Sequence, residues 1–377
     1  MKYREFGKTG IKVSSLGFGC MRFPLVEGSD VEVDVDKSIS LIRHGIDKGI
    51  NYIDTAYPYH NGKSEIITGQ ALSDGYREKV YLATKLPSWL IKSRADMDRY
   101  LEEQLEKLQT EYIDFYLLHT LNTAYWKILL ENNVFEFLEE AKAAGKIRHI
   151  GFSFHDELPL FKEIVDAYEW DFCQIQYNFM DVDYQAGLEG LDYAASKGMG
   201  VVIMEPLRGG SIVSNIPNDI QDLWNSSSSI TTPADAALRY IWDHGGVGTI
   251  LSGMNSLQQV DENISSSDKG EAGGFTDEER TILTEVRSRY EARIIANCTN
   301  CRYCMPCPSG VDIPANLSYL NNQAVYGNLA PFRNSYNNYF NDNKKAHHCI
   351  ECGQCEEACP QNISIMDCLR QVVEIMS

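Results

Sequence analysis

Eight of the eleven cysteines crowd into two bursts of regular spacing, Cys298-x2-Cys301-x2-Cys304-x2-Cys307-Pro308 and Cys349-x2-Cys352-x2-Cys355-x3-Cys359-Pro360. Thiolates three residues apart can wrap one iron-sulfur cubane corner after corner, whereas the remote cysteine before proline is turned away and reaches another cluster. The spacing therefore predicts two [4Fe-4S] clusters with crossed ligation. Cys298, Cys301, Cys304 and Cys359 hold one, and Cys349, Cys352, Cys355 and Cys307 the other. Zinc is the competing reading, because Cys-x2-Cys pairs also suit a tetrahedral site, but it leaves the two Cys-Pro ends unexplained. Outside the runs, Cys173 reads as a small buried filler, as does Cys20, whose alternative is to line the mouth of a pocket; Cys368 also stands apart.

A second set is spread through the first third of the chain. Asp54 ends the run Asn51-Tyr52-Ile53-Asp54, Tyr59 follows in the next loop, Lys85 ends Val80 to Lys85, and His119 ends Asp114 to His119. A Tyr, a Lys, an Asp and a His gathered above neighbouring strands can polarise and protonate a carbonyl. Tyrosine is the natural proton donor, with a Lys85 ammonium expected to lower its pKa and Asp54 to keep that ammonium charged and fixed. His119 would orient the carbonyl oxygen. Singly, Asp54 reads as a turn cap and His119 as a core histidine; four matching types at successive strand ends outweigh that account. His155 and Asp156 divide evenly between a place facing substrate and a loop-to-helix cap.

The elements that must position these residues follow from the pattern. After a hairpin over residues 3–14, turning near Lys8-Thr9-Gly10, apolar runs begin near Leu16, Asn51, Val80, Ile113, Ile147, Phe172, Gly200 and Gly248, each followed by a helix-length segment. Eight such units predict an α/β chain with a closed (β/α)8 (TIM) barrel, whose active site lies at the C-terminal ends of the strands. From about Glu291 the composition turns to Cys, Pro, Asn and Tyr without strand-like alternation. The expected domains are thus 1–290, the barrel, and 291–377, a small, mainly helical iron-sulfur domain. With 44% hydrophobic and 23% charged residues the chain can bury a sizeable core, and a net charge of -19 disfavours nucleic-acid or anionic-membrane partners. Met1 to Lys8 lacks the apolar core of a signal peptide, and no later run nears the ~18 residues of a membrane span, so a soluble cytoplasmic protein is expected. The oligomeric state is left open.

These stretches resemble the aldo-keto reductase family. The matching segments are Asp54-Thr55-Ala56-Tyr57-Pro58-Tyr59 with Ser64-Glu65, Ala83-Thr84-Lys85, Tyr116-Leu117-Leu118-His119, Gly151-Phe152-Ser153, Gln174 to Asn178, and Glu205-Pro206-Leu207 with Gly209-Gly210. The resemblance covers roughly residues 1 to 290, and the C-terminal segment resembles a two-cluster ferredoxin-like module. It implies that Asp54, Tyr59, Lys85 and His119 are the catalytic tetrad and that Ser153 and Gln174 hold a nicotinamide carboxamide, with Met204 at the stacking position. Leu207, Arg208, Gly209, Ser252, Gly253, Asn255, Gln259 and Asn263 would border the diphosphate and ribose. Two departures bear on the nicotinamide pocket: Phe154 stands where many members carry Asn, and Met204 where the seventh strand commonly offers an aromatic. The adenine-side segment Ser252 to Asn263 lacks the family's Lys and Arg for a 2′-phosphate, which leaves NADP(H) and NAD(H) both open; Arg208 is the candidate substitute.

The expected function is an NAD(P)H-dependent oxidoreductase that reduces a small carbonyl compound, or oxidises an alcohol in reverse, with Tyr59 as proton donor. Its chemistry would be linked to one-electron transfer through the clusters. Hydride carries two electrons and a cubane one, so coupling them calls for a flavin, a radical-tolerant substrate or an electron-transfer protein. FMN is a candidate for the barrel's phosphate site that no flavin signature supports. The alternatives are an NAD(P)H-binding redox sensor, a barrel with structural clusters only, and a flavin-using electron-transfer reductase.

Overall fold

The computed structural model describes residues 1–29, 31–298, 302–327 and 329–376. Strands β1 (Tyr3–Glu5) and β2 (Lys12–Ser14) form an antiparallel hairpin. Eight parallel strands then close on themselves: β3 (Leu16–Gly19), β4 (Tyr52–Asp54), β5 (Tyr81–Leu86), β6 (Ile113–Leu121), β7 (Ile147–Phe154), β8 (Phe172–Gln176), β9 (Gly200–Met204) and β10 (Val247–Ser252), with β10 pairing both β9 and β3. Covered on both faces, these strands read as near-continuous apolar runs, which is why they were visible as such.

Phe6, at the end of β1, is fully buried, with its ring centroid 5.0 Å from Phe115 and 5.8 Å from Phe172. It plugs the N-terminal mouth of the barrel. A Cβ on Gly200 or Gly248 would lie 2.7 Å from this ring, so both strands need glycine where the plug enters. Inside, Tyr52, Phe115, Leu117, Phe172, Val202 and Leu251 pack together, while a larger apolar cluster fills the space between strands and helices.

One irregularity shapes the opposite end. β6 pairs β7 as Leu118 with Phe152 and then Leu121 with Phe154, so β6 carries one extra residue there. Thr120, at φ 57°, absorbs the bulge, and its N–H donates to the Ser153 hydroxyl at 2.8 Å.

The chain divides into two compact units, Met1–Gly209 with Ala234–Thr276, and Gly210–Pro233 with Asp277–Ser377. Packing therefore assigns the helix Asp277–Glu291 and the segment after β9 to the C-terminal unit, whereas composition drew the line near residue 290. Charge pairing explains the grouping: Asp219, on the helix Asn218–Asn225, accepts from Arg293 at 2.7 Å and faces Arg289 at 3.6 Å. The described residues of this unit contain helices and no strand. Ile313–Tyr326 opens with an Asp312 cap and closes at Gly327, φ 62°, and it packs through Ile313, Leu317 and Leu320 on Leu369 and Val372 of Ile365–Met376. Among the described residues no helix is long and apolar enough to cross a membrane.

Candidate functional site

In the barrel, the ends of β4, β5 and β6 bring Asp54, Lys85 and His119 to one side. Lys85 is fully buried, and its ammonium donates to Asp54 Oδ1 at 2.7 Å, Asp54 Oδ2 at 2.8 Å and the Thr55 carbonyl at 2.7 Å. Three acceptors satisfy its three donors, which is what allows a charge to sit there. Tyr59 opens the 3-10 turn Tyr59–Gly62; Lys85 Nζ lies 5.2 Å from its ring centroid, and the His119 ring meets it edge-on at 6.1 Å. The four expected residues thus form one cluster.

The electrostatics differ from the expectation in one respect. Burial pushes the Tyr59 phenol well above its ordinary pKa, and Asp54, Glu205 and Cys20 push the same way, with Arg22 opposing. Lys85 does not lower it as expected, because both Asp54 oxygens already compensate the ammonium. Burial also raises Asp54 despite Lys85. His119 is driven well below 6.5 by burial and by the neighbouring Lys85 and His155, so its imidazole is neutral at pH 7.

Ser153 and Gln174 are register partners on β7 and β8, and Gln174 Nε2 contacts Met204 Sδ on β9 at 3.4 Å. These three form a continuous patch. Gln174 Oε1 and His119 Nδ1 are buried without a hydrogen-bond partner among the described residues. Buried polar atoms are ordinarily paired, so this patch fits a group bearing an amide, as nicotinamide does. Phe154 is buried against Phe161 of the following helix, ring centroids 5.2 Å apart, and so belongs to the helix layer rather than to this patch.

Beyond β9 and β10 the remaining candidates sort into pairs. The Ser252 hydroxyl accepts from Asn263 at 3.1 Å, and the Asn255 N–H donates to Gln259 Oε1 at 2.9 Å, where Ser256 caps the helix Leu257–Lys269. Leu207 packs on the core, and Arg208 Nε sits 3.1 Å from Asp181, which also accepts from the Gln176 and Asn178 amides. Gly209 and Gly253 both lie against the Arg22 side chain. Asp156 does not cap the helix that follows it, Leu158–Ala167, whose N-cap is Glu157; its carboxylate accepts from Thr123 N and Oγ1, at the start of the helix Thr123–Glu131, and from Glu157 N. Cys20 is the buried filler, its thiol pushed up to about 12 by burial.

Sequence reasoning missed three residues at this end. Trp89 lies 5.2 Å from His119; His60 accepts from the Phe23 N–H at 3.0 Å; Arg22 faces Glu205 at 3.5 Å. Proximity to Lys85 and Tyr59 in the chain was the only signal for Trp89 and His60.

In the C-terminal unit, Cys304, Cys307, Cys349, Cys352 and Cys355 line a single cavity of about 240 Å³. Cys298 and Cys359 pack on the same core outside that lining, and Cys301 lies outside the described residues. Five soft donors around one cavity fit an iron-sulfur cluster. Burial and the adjacent Glu356 push the Cys355 thiol up to about 11, so ligation there has to displace a proton.

The matches to known proteins follow this division. The model of the aldo/keto reductase family matches residues 15–286, and that of a 4Fe-4S dicluster domain residues 297–364. The chain belongs to the aldo/keto reductase family and carries a 4Fe-4S domain after the barrel; it is an oxidoreductase. It is 28% identical over 313 residues to L-galactose dehydrogenase of Arabidopsis thaliana, covering 77% of this chain and 95% of that one. An aldo-keto reductase from Bacillus halodurans, solved in a holo form, superimposes with a TM-score of 0.63 at 27% identity, over 76% of this chain and 96% of its own. One from Klebsiella pneumoniae in complex with NADPH gives 0.62 at 26%, over 76% and 95%.

Proposed function

We propose that the barrel reduces a small carbonyl compound with NAD(P)H, or oxidises the alcohol in reverse, and that the C-terminal unit holds two [4Fe-4S] clusters that move single electrons. The observation that carries the first part is the convergence of Tyr59, Lys85 and His119, with Lys85 pinned by both Asp54 oxygens. Bound at the Ser153–Gln174–Met204 patch, nicotinamide supplies hydride. Tyr59 stays protonated through neutral pH because burial holds its pKa up, so its hydroxyl has a proton to give to the carbonyl oxygen. The Lys85 ammonium then faces the tyrosinate left behind, and neutral His119 keeps an imidazole N–H to orient the carbonyl.

For the clusters, one cavity lined by Cys304 and Cys307 of the first run and Cys349, Cys352 and Cys355 of the second supports ligation shared between the runs, of which crossed ligation through Cys307 is the form the spacing favours. Hydride delivery and single-electron transfer are reconciled by an external partner that takes up the electron pair and passes electrons on singly, as a flavoprotein does. The test of the barrel reading is Tyr59→Phe. Carbonyl reduction is expected to fall about 10²–10⁴-fold while nicotinamide binding, followed by fluorescence quenching, is retained. Retained turnover would move the acid role elsewhere. Rapid mixing of the reduced cofactor with the iron-loaded protein, with and without a flavin-bearing electron carrier, tests the link: bleaching of the cluster absorbance is expected with the carrier present.

A further inference from the structure

Between the two cysteine runs the chain makes two consecutive 3-10 turns, Asp342–Lys344 and Ala346–His348, joined by the extended Lys345. They bring one carboxylate and two imidazoles together. Asp342 Oδ2 lies 3.4 Å from His348 Nε2 and 3.8 Å from His347 Nε2, and one ligand atom from each of the three residues lies within 4.8 Å of the others. The two histidines are adjacent in the chain, yet their ring centroids are 4.1 Å apart and both present Nε2 to the same oxygen. Direct N–H···O hydrogen bonds centre on about 2.9 Å, which neither contact approaches. Donors held on one zinc-sized ion, each about 2.1 Å from it, stand roughly 3.4 Å apart. The spacing therefore suits an interposed ion better than direct pairing.

The carboxylate is oriented from behind. Its other oxygen, Oδ1, faces Lys345 Nζ at 3.4 Å, and that ammonium, on a side chain only 12% exposed, also donates to the Asn337 carbonyl at 3.3 Å. Lys345 thus takes one oxygen and leaves the other to the histidines, which is how outer groups fix a metal-binding carboxylate. The backbone is anchored as well. The Ala346 N–H donates to the Tyr336 hydroxyl at 2.8 Å, Tyr336 donates to Asn316 at 2.7 Å, and the Asn316 amide donates to the Lys344 carbonyl at 2.9 Å. Ala346, Tyr336 and Asn316 are all buried, so the turns that carry the three ligands are tied to the helical core. The His347 and His348 side chains stay 46% and 37% exposed, which leaves room for water to complete the coordination. Two imidazoles and a carboxylate oxygen are the donor set of borderline divalent ions such as zinc, whereas magnesium and calcium take oxygen donors and iron-sulfur clusters take thiolates.

We propose that Asp342, His347 and His348 form a mononuclear site for a divalent transition-metal ion of the zinc type, separate from the cysteine ligands. The test is anaerobic equilibrium dialysis of the full iron-loaded chain against micromolar Zn²⁺, with and without millimolar Mg²⁺, zinc and iron being counted by elemental analysis. About one zinc per chain is expected, retained against Mg²⁺ and with the iron content unchanged. His347→Ala and Asp342→Asn are each expected to weaken zinc binding by about tenfold or more, since loss of a ligand's supporting partner alone costs that much. Circular dichroism and iron content confirm that each variant keeps its fold; His347→Ala, which removes an exposed side chain, decides the matter if Asp342→Asn does not. His44→Ala breaks a lone pair elsewhere, His44 Nε2 to Asp261 Oδ1 at 2.8 Å, and is expected to leave zinc binding unchanged. No retained zinc in the parent, or equal affinity in the parent and the two site variants, overturns the inference. So does an equal loss in His44→Ala, or zinc uptake matched by loss of iron, which would place the ion at the cysteines. A chain that never holds iron fails the cluster reading instead, and the zinc equivalent lost in His347→Ala still decides this one.

Discussion

The two units of this chain hold their reactive groups in opposite ways. In the barrel, Lys85, Asp54 and the Thr55 carbonyl satisfy one another inside an extended apolar core. In the C-terminal unit, five thiols surround a cavity whose apolar core is small and includes cysteines at its margin. A polar site is preorganised when its members bond one another; a thiol site is preorganised only when metal replaces the protons. The difference teaches where each unit's stability originates. On the reading proposed above, the barrel draws on burial of eight strands, and the C-terminal unit on the clusters its cysteines would hold.

The largest effect should come from iron. Anaerobic chelation is expected to abolish hydrogen-exchange protection in Ile313–Tyr326 and Ile365–Met376 while leaving β3 to β10 protected. Persistent protection of those two helices would break the contrast. Intact protein should carry about eight irons per chain, as two cubanes require. Cys307→Ser should lower the content towards half if, as proposed, crossed ligation makes this cysteine part of the cluster held mainly by the second run.

Next in size is Lys85→Met, which strands Asp54 as an unpaired buried acid. Breaking such a pair costs about 3–5 kcal/mol, read as a lower urea midpoint for the barrel. Turnover should be lost together with stability. Adding Asp54→Asn should recover much of the stability and none of the activity, which separates the structural part of the pair from its chemical part. A single variant as stable as the parent would mean that the pair's desolvation cancels its attraction even one-sidedly.

How much of this was legible beforehand depended on range. Strand starts such as Ile113, Ile147, Phe172 and Gly200 follow from apolar runs alone, and Asp54, Lys85 and His119 follow as polar residues at their ends. The bulge at Thr120 did not, because no glycine or proline marks it and only pairing with β7 reveals the extra residue. Arg22 was invisible for a similar reason, since its meaning lies in contacts with Gly209 and Gly253, remote in the chain. The direction of the Tyr59 shift was misjudged because proximity of Lys85 was weighed without the carboxylate that compensates it. Among the cysteines, spacing announced the ligand type and the pairing of the runs, and the cavity shows that thiols of both runs, Cys304 and Cys307 with Cys349, Cys352 and Cys355, face one space.

The smallest expected effect concerns acid, and it sharpens the contrast by staying within the barrel. His119, His60 and His155 all have pKa values lowered by burial. For a histidine whose folded pKa lies below its unfolded value of about 6.5, both states are neutral above that pH and nothing is lost. As pH falls below it the unfolded chain takes up a proton that the folded barrel refuses, so stability declines until the folded pKa is reached. Each such group contributes a slope of at most about 1.4 kcal/mol per pH unit. Four of the five tryptophans, Trp89, Trp126, Trp170 and Trp242, belong to the barrel unit and only Trp224 to the other, so tryptophan fluorescence mainly follows barrel unfolding. Urea unfolding at pH 7.5 and 5.5 should show a loss in the parent that shrinks by up to about 1.4 kcal/mol in His119→Asn. Asp54 and Glu65, whose pKa values are raised, act with the opposite sign, gaining stability as pH falls from their folded values towards the unfolded ones. They are present in both proteins, so the difference between parent and variant isolates His119, and an equal loss in the two would show that this imidazole is not held neutral.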